Sequence, residues 1–234
     1  MQRVLIITGA SRGIGLATAE LFLAEGYSVY NLARTPAPLN GIHNIPVDLT
    51  AVDWESQIGP RLLTAIEGAG EVAVVHNAGA ISKDSLINFD VDEFRRVMEV
   101  NVTGPARLTH LLLPHMRAGS SVIYVGSTLS EMAVPGSLAY VTSKHALIGL
   151  MRSTCQDLAG SGVHTACVCP GFTDTDMLRA HVGGSPEVLA AIASGVTANR
   201  LIAPSEIART ILFCAREAVL NGSVVHANLG QINR

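Results

Sequence analysis

The sequence predicts a three-layer α/β/α fold, a doubly wound parallel sheet in a single domain of 234 residues. Short Val/Ile-rich runs of strand length alternate with longer helical patterns, which is the signature of repeated strand–helix–strand units. The runs are continuously apolar rather than alternating, as parallel strands covered on both faces require. The composition, 48% hydrophobic and 15% charged, supplies a substantial core, and the length fits one α/β domain.

Taken in order, the first strand is 3–8, where Val4-Leu5-Ile6-Ile7 runs into a glycine turn. Further strands fall at 28–32, 42–46, 72–76, 121–126, 164–169 and 223–227. Between them the spacing predicts helices over 14–24, 54–66, 91–116, 139–159 and 205–215. The Gly/Pro/Ser-bearing stretch 179–204 leaves the sheet. Such excursions often form lids over sites, and a substrate lid is expected over about 172–204. No internal repeat, low-complexity segment or linker interrupts the domain.

The bulk numbers exclude several classes. A net charge of −3, with 16 Lys and Arg scattered along the chain, offers no basic face for nucleic acid. The opening MQRVLIITGA lacks the long apolar region of a secretory signal. No apolar run approaches the ~20 residues that span a bilayer. A cytoplasmic protein with no membrane or nucleic-acid partner is expected. Cys155, Cys167, Cys169 and Cys214 lack metal-ligand spacing and read as reduced, buried small hydrophobes. Cys167 and Cys169 fall on one face of a strand.

Residues 8–15, Thr-Gly-Ala-Ser-Arg-Gly-Ile-Gly, join the first strand to the first helix. Gly9 and Gly13 let backbone approach a diphosphate, and Gly15 lets helix pack on strand. The helix start then offers unpaired N–H groups and partial positive charge to phosphate. This is a dinucleotide-binding, Rossmann-type arrangement. NAD sites usually place an acid at the end of the second strand, but here 30–35 reads Tyr-Asn-Leu-Ala-Arg-Thr. Arg34, with Arg12 in the glycine turn, can hold a 2′-phosphate in a guanidinium fork. NADP(H) is therefore the expected cofactor, with NAD(H) the alternative.

Tyr140 and Lys144 stand four residues apart in a helical pattern and share a face. A phenol is a poor base at neutral pH, and a neighbouring ammonium favours its charged form. That makes Tyr140 a usable acid/base. Ser127, thirteen residues earlier at a strand end, can hold a substrate oxygen beside it. A lone Tyr-x-x-x-Lys means little. Joined to the glycine turn and to Asn77-Ala78-Gly79 after another strand, it points to hydride transfer.

With these residues the chain resembles the short-chain dehydrogenase/reductase family over nearly its whole length. The resemblance rests on Thr8–Gly15, Asp48-Leu49-Thr50, Asn77–Gly79, Asn101, Ser127, Tyr140–Lys144 and Pro170-Gly171, in family order and spacing. It implies catalysis by Asn101, Ser127, Tyr140 and Lys144. It implies a dinucleotide held by Gly9, Ser11, Arg12, Gly13, Ile14, Gly15, Arg34, Asp48, Leu49, Asn77, Ala78 and Gly79. Tyr140, Lys144, Pro170, Gly171, Thr173 and Thr175 complete that set. In the family picture Asp48 meets the adenine, Lys144 the nicotinamide ribose, and 170–175 the carboxamide, while Asn101 holds a relay water. The family also pairs its counterparts of helices 91–116 and 139–159 across subunits, implying a homodimer or homotetramer.

Two departures stand out. His76 replaces a common asparagine and reads as a core histidine satisfied by backbone. Residues 226–230, His-Ala-Asn-Leu-Gly, replace a common Asp-Gly-Gly turn, which bears on subunit contacts rather than on chemistry. By resemblance the substrate pocket is lined by Leu129, Ser130, Met132, Leu138 and the segment from Phe172 to about Val196. It is mainly apolar and suits an uncharged ketone, aldehyde or secondary alcohol. A 3-oxoacyl carrier reductase shares every motif but needs a basic docking face, for which Arg95, Arg96 and Arg117 are scattered candidates. A non-catalytic regulator predicts loss of the Ser–Tyr–Lys set, which is intact; an isomerase or epimerase using the cofactor transiently stays open.

Overall fold

The computed structural model describes residues 2–231. Seven strands form one sheet: β1 (Arg3–Thr8), β2 (Ser28–Ala33), β3 (Ile42–Pro46), β4 (Glu71–His76), β5 (Ser121–Val125), β6 (His164–Pro170) and β7 (Ser223–Ala227). All pairings are parallel, in the order β3-β2-β1-β4-β5-β6-β7. The predicted strands all form, with ends shifted by at most one residue.

Strand periodicity divides the core. Val4 and Ile6 of β1 face one side, with Tyr124, helix α2 (Trp54–Ile66) and helix α5 (Leu138–Asp157). Leu5 and Ile7 face the other, with Ile123, helix α1 (Gly13–Ala24) and helix α8 (Pro204–Arg216). The strand order reverses between β1 and β4. In open α/β sheets ligands bind in the crevice outside the carboxyl ends at such a switch point. Thr8 ends β1 and His76 ends β4, so the glycine turn and Asn77–Gly79 both lie there.

The single helix expected over 91–116 does not form. It is α3 (Val91–Met98), a π turn (Glu99–Thr103), α4 (Gly104–Leu112) and a short 3-10 turn (Leu113–His115). Pro105 is the reason: it has no N–H for the carbonyl four residues back, which belongs to Asn101. The wider turn absorbs the break, and such turns are frequent at functional sites.

The excursion from the sheet is helical, with α6 (Asp176–Val182) and α7 (Pro186–Ser194). Two backbone bonds close its base: Ile202 N–H donates to the Phe172 carbonyl at 2.9 Å, and Asp174 N–H to the Ile202 carbonyl at 2.9 Å. Among the described residues no helix is long and apolar enough to cross a membrane.

Candidate active site

The phosphate cradle is built by crowding. Gly9 has φ +72°, a left-handed conformation that favours glycine, and a Cβ there would meet the Ala78 Cα at 3.0 Å. A Cβ on Gly15 would lie 2.3 Å from the Gly9 carbonyl oxygen and 2.4 Å from Asn77 Nδ2. Only glycine allows this approach of helix to strand. Asn77 locks the turn by donating from Nδ2 to the carbonyls of Thr8 (3.1 Å) and Gly9 (2.9 Å). The Thr8 hydroxyl accepts from the N–H groups of Asn77 and Ala78, each at 3.0 Å.

Helix α1 starts behind Arg12 with no side-chain cap and no acid in its first turn. Its first N–H groups are therefore available to an anion. Ile14 packs its half-buried side chain against the core. Ser11 donates to the Thr35 carbonyl, tying the turn to the end of β2. Thr175 crosses above: its methyl lies 3.2 Å from where a Cβ on Gly13 would sit. These groups fit a dinucleotide diphosphate.

Arg12 and Arg34 are both exposed, and among the described residues neither joins an ion pair. The Asp48 carboxyl is held below its usual range, first by the Thr50 N–H and hydroxyl, at 2.9 and 2.8 Å, and then by the charges of Arg34 and Arg96. The Leu49 side chain is buried in the core against Gly104, so its backbone is the part that faces a ligand. Pro170 is buried at the end of β6, and Gly171 N–H donates to the Ala227 carbonyl at 3.0 Å. Thr173 is buried, its hydroxyl turned to the Gly171 carbonyl at 3.1 Å.

The candidate catalytic side chains come from three elements. Tyr140 lies in the first turn of α5, half-buried, with the Lys144 ammonium 5.5 Å from its ring centroid. Lys144 is buried and donates to the Val125 carbonyl at 2.8 Å, at the end of β5. Ser127 follows β5; its Oγ accepts from Leu129 N–H at 3.1 Å, which leaves its own hydrogen free to donate. Asn101, in the π turn, accepts from Ala80 N–H at 2.7 Å and donates to the Ala80 carbonyl and to Ser143 Oγ, both at 2.9 Å. Its side chain thus pins the segment after Gly79 to α5.

A sequence model of the short chain dehydrogenases matches residues 3–183. The chain belongs to the short-chain dehydrogenase family. Within that family, the 3-oxoacyl-[acyl-carrier-protein] reductase of Vibrio harveyi is 32% identical over 240 residues, covering 97% of this chain and 96% of that protein. The 2-(R)-hydroxypropyl-CoM dehydrogenase of Xanthobacter autotrophicus is 31% identical, covering 96% of each. The ligand-free aldohexose dehydrogenase of Thermoplasma acidophilum superposes with a TM-score of 0.90 at 28% identity, covering 98% of this chain and 93% of that one. Short-chain dehydrogenases are oxidoreductases that bind a nicotinamide dinucleotide, and this chain is such an enzyme.

Some expectations about this dehydrogenase need correction. Ser130 does not line a pocket: it is buried, and its Oγ accepts from Ser127 N–H at 3.1 Å. His76 is buried as expected, but its partner is the Thr109 hydroxyl at 2.8 Å rather than backbone. Burial holds it neutral, with its pKa pushed down to about 3. Cys167 and Cys169 share a face, with sulfurs 3.8 Å apart, whereas Cys155 is only half-buried. The sequence reading missed Asn31, which accepts from Ala10 N–H at 2.9 Å and donates to Asn44 Oδ1 at 2.9 Å. A polar residue inside an apolar strand was the available signal. It also missed Ser143, which carries no signal beyond its place between Tyr140 and Lys144.

Proposed function

We propose that this enzyme is an NADP(H)-preferring oxidoreductase that interconverts a ketone or aldehyde and the corresponding alcohol. The observation that carries the reading is the Lys144 ammonium, which lies 5.5 Å from the Tyr140 ring centroid and donates to the carbonyl of Val125, at the strand end just before Ser127. The nicotinamide, when bound, supplies or accepts the hydride. Ser127 donates its free hydrogen to the carbonyl oxygen and steadies the charge developing there. Tyr140 gives that oxygen its proton. The Lys144 ammonium stabilises the resulting charge on the phenol and holds the ribose. Asn101 keeps the cofactor wall and α5 in register, and its carbonyl, released by Pro105, is suited to hold a relay water. The 172–204 segment serves as a lid.

Arg12 and Arg34, which join no ion pair among the described residues, support the 2′-phosphate preference. The substrate is an uncharged small molecule. A 3-oxoacyl thioester belongs among the candidates because of the Vibrio harveyi relative. Against a carrier-docking face, Arg95 and Arg96 are paired to Asp92 and Glu93 on their own helix. The four free cysteines fit a reducing cytoplasm. We further read the helical segment 91–116 and α5 as subunit contacts; light scattering at micromolar concentration should give a dimer or tetramer, and a monomer overturns this.

The test of the function is a panel of ketones, aldehydes, secondary alcohols and a 3-oxoacyl thioester, run with both cofactors. Net oxidation of NADPH with a carbonyl is expected. Product formation with no net cofactor turnover would replace the reading with an isomerase or epimerase.

A further inference from the structure

The helix that carries Tyr140 begins without a cap of its own. Ser137 occupies the N-cap position of α5, and its side chain makes no capping bond. Capping residues accept from the second or third helical N–H, here Ala139 or Tyr140. That place is taken by a residue distant in sequence. Asp84, in the segment after β4, accepts from Ala139 N–H through Oδ2 at 3.0 Å. Its backbone makes the same junction twice more. Asp84 N–H donates to the Gly136 carbonyl at 3.2 Å, and the Asp84 carbonyl accepts from Leu138 N–H at 3.4 Å.

Asp84 is 7% exposed, and its other oxygen, Oδ1, is buried with no hydrogen-bond partner. Burying a carboxylate so sparsely bonded is unfavourable. The partial positive charge of the α5 start offsets part of that penalty. A small apolar residue would fill the space without it. What the carboxylate adds is direction: it fixes the Leu138–Ala139 peptide, one residue ahead of Tyr140, against the segment that begins at the cofactor wall, Asn77–Gly79.

We propose that Asp84 is a positioning residue for Tyr140, capping α5 from outside the helix so that the phenol is held at the reacting oxygen. The inference rests on the reading of Tyr140 as proton donor. Small displacements of a reacting group are expensive, and ~1 Å can lower turnover by about a hundredfold. Asp84→Ala should therefore lower kcat by about tenfold to a hundredfold, while leaving the KM and Kd for NADPH nearly unchanged. The amide of Ala139 should exchange faster with deuterated solvent. Asp84→Asn, which keeps an acceptor oxygen, should restore most of kcat and the slow exchange. Should Asp84→Ala fail to fold, Asp84→Glu takes its place, keeping the charge and displacing it by one methylene.

Unchanged kcat alongside faster Ala139 exchange overturns the proposal. So does a parallel loss of kcat and NADPH affinity, which would mark a general structural role. If the unsubstituted protein reduces no carbonyl, the reductase reading falls instead. The tie from Asp84 to the Tyr140 turn is then supported by faster Ala139 exchange in Asp84→Ala and overturned by unchanged exchange.

Discussion

The Lys144 ammonium donates to the Val125 carbonyl at 2.8 Å, which ties the catalytic helix to the strand that presents Ser127. The same ammonium lies 5.5 Å from the Tyr140 ring centroid. One buried cation therefore links the helix of Tyr140 to the strand that precedes Ser127. Lys144→Ala should lower both turnover and NADPH affinity, because it removes a charge beside the phenol and, in the proposed reading, a donor to the ribose. Steady-state kinetics with a fluorescence titration of NADPH checks this. Loss of turnover with intact cofactor affinity would refute the double role.

His76 makes stability depend on pH in a defined direction. Its folded pKa is depressed to about 3 by burial, below the ~6.5 of an exposed imidazole. As pH falls, the unfolded chain takes up the proton first. The contribution is fully present above pH ~6.5 and is lost as pH drops toward 3. Between pH 7 and pH 5 the parent should lose about 2 kcal/mol more than His76→Asn. Urea unfolding of both proteins at the two pH values measures the difference. Equal losses would show that the ring titrates freely in the fold.

Cofactor preference should follow Arg34. A bidentate contact to a 2′-phosphate contributes a few kcal/mol, and ~1.4 kcal/mol is tenfold in affinity. Arg34→Asp should lower kcat/KM for NADPH by tenfold or more and leave NADH equal or improved. Arg34 also contributes to holding the Asp48 carboxyl charged, so the variant loses this cation from beside Asp48. An unchanged NADPH to NADH ratio would remove Arg34 from the site.

What the sequence made legible was local. Gly9, Gly13, Gly15 and the Tyr140–Lys144 pair carry their chemistry within a single turn or helix, so spacing alone brings it out. Strand ends were readable for the same reason: apolar runs stop where turn residues begin. The π turn was not, because the apolar spacing over 91–116 is helical on both sides of Pro105, and only the missing N–H betrays the break. Ser130 was misread because a side chain's direction in the short turn after a strand depends on tertiary packing. The Asp84 and Thr109 contacts join residues 55 and 33 positions from their partners, beyond the reach of any local pattern.

The decisive prediction concerns Tyr140. Its ring is half-buried at the start of α5, where Asp84 and Asn101, through Ser143, fix the helix from two sides. Tyr140→Phe deletes one oxygen and leaves those ties in place. Turnover should fall by roughly 10²–10⁴-fold, the usual contribution of a positioned acid, while NADPH still binds. Ser127→Ala should also lower turnover with cofactor binding nearly intact, since its hydroxyl has no bond to the glycine turn. The two losses should not add, because both groups act on the same substrate oxygen. Kinetics of the single and double variants on the best carbonyl of the panel, with NADPH affinity measured separately, tests all three statements. If Tyr140→Phe keeps most of its activity, another group delivers the proton. His76 cannot readily be that group, because burial holds it neutral and bonded to Thr109.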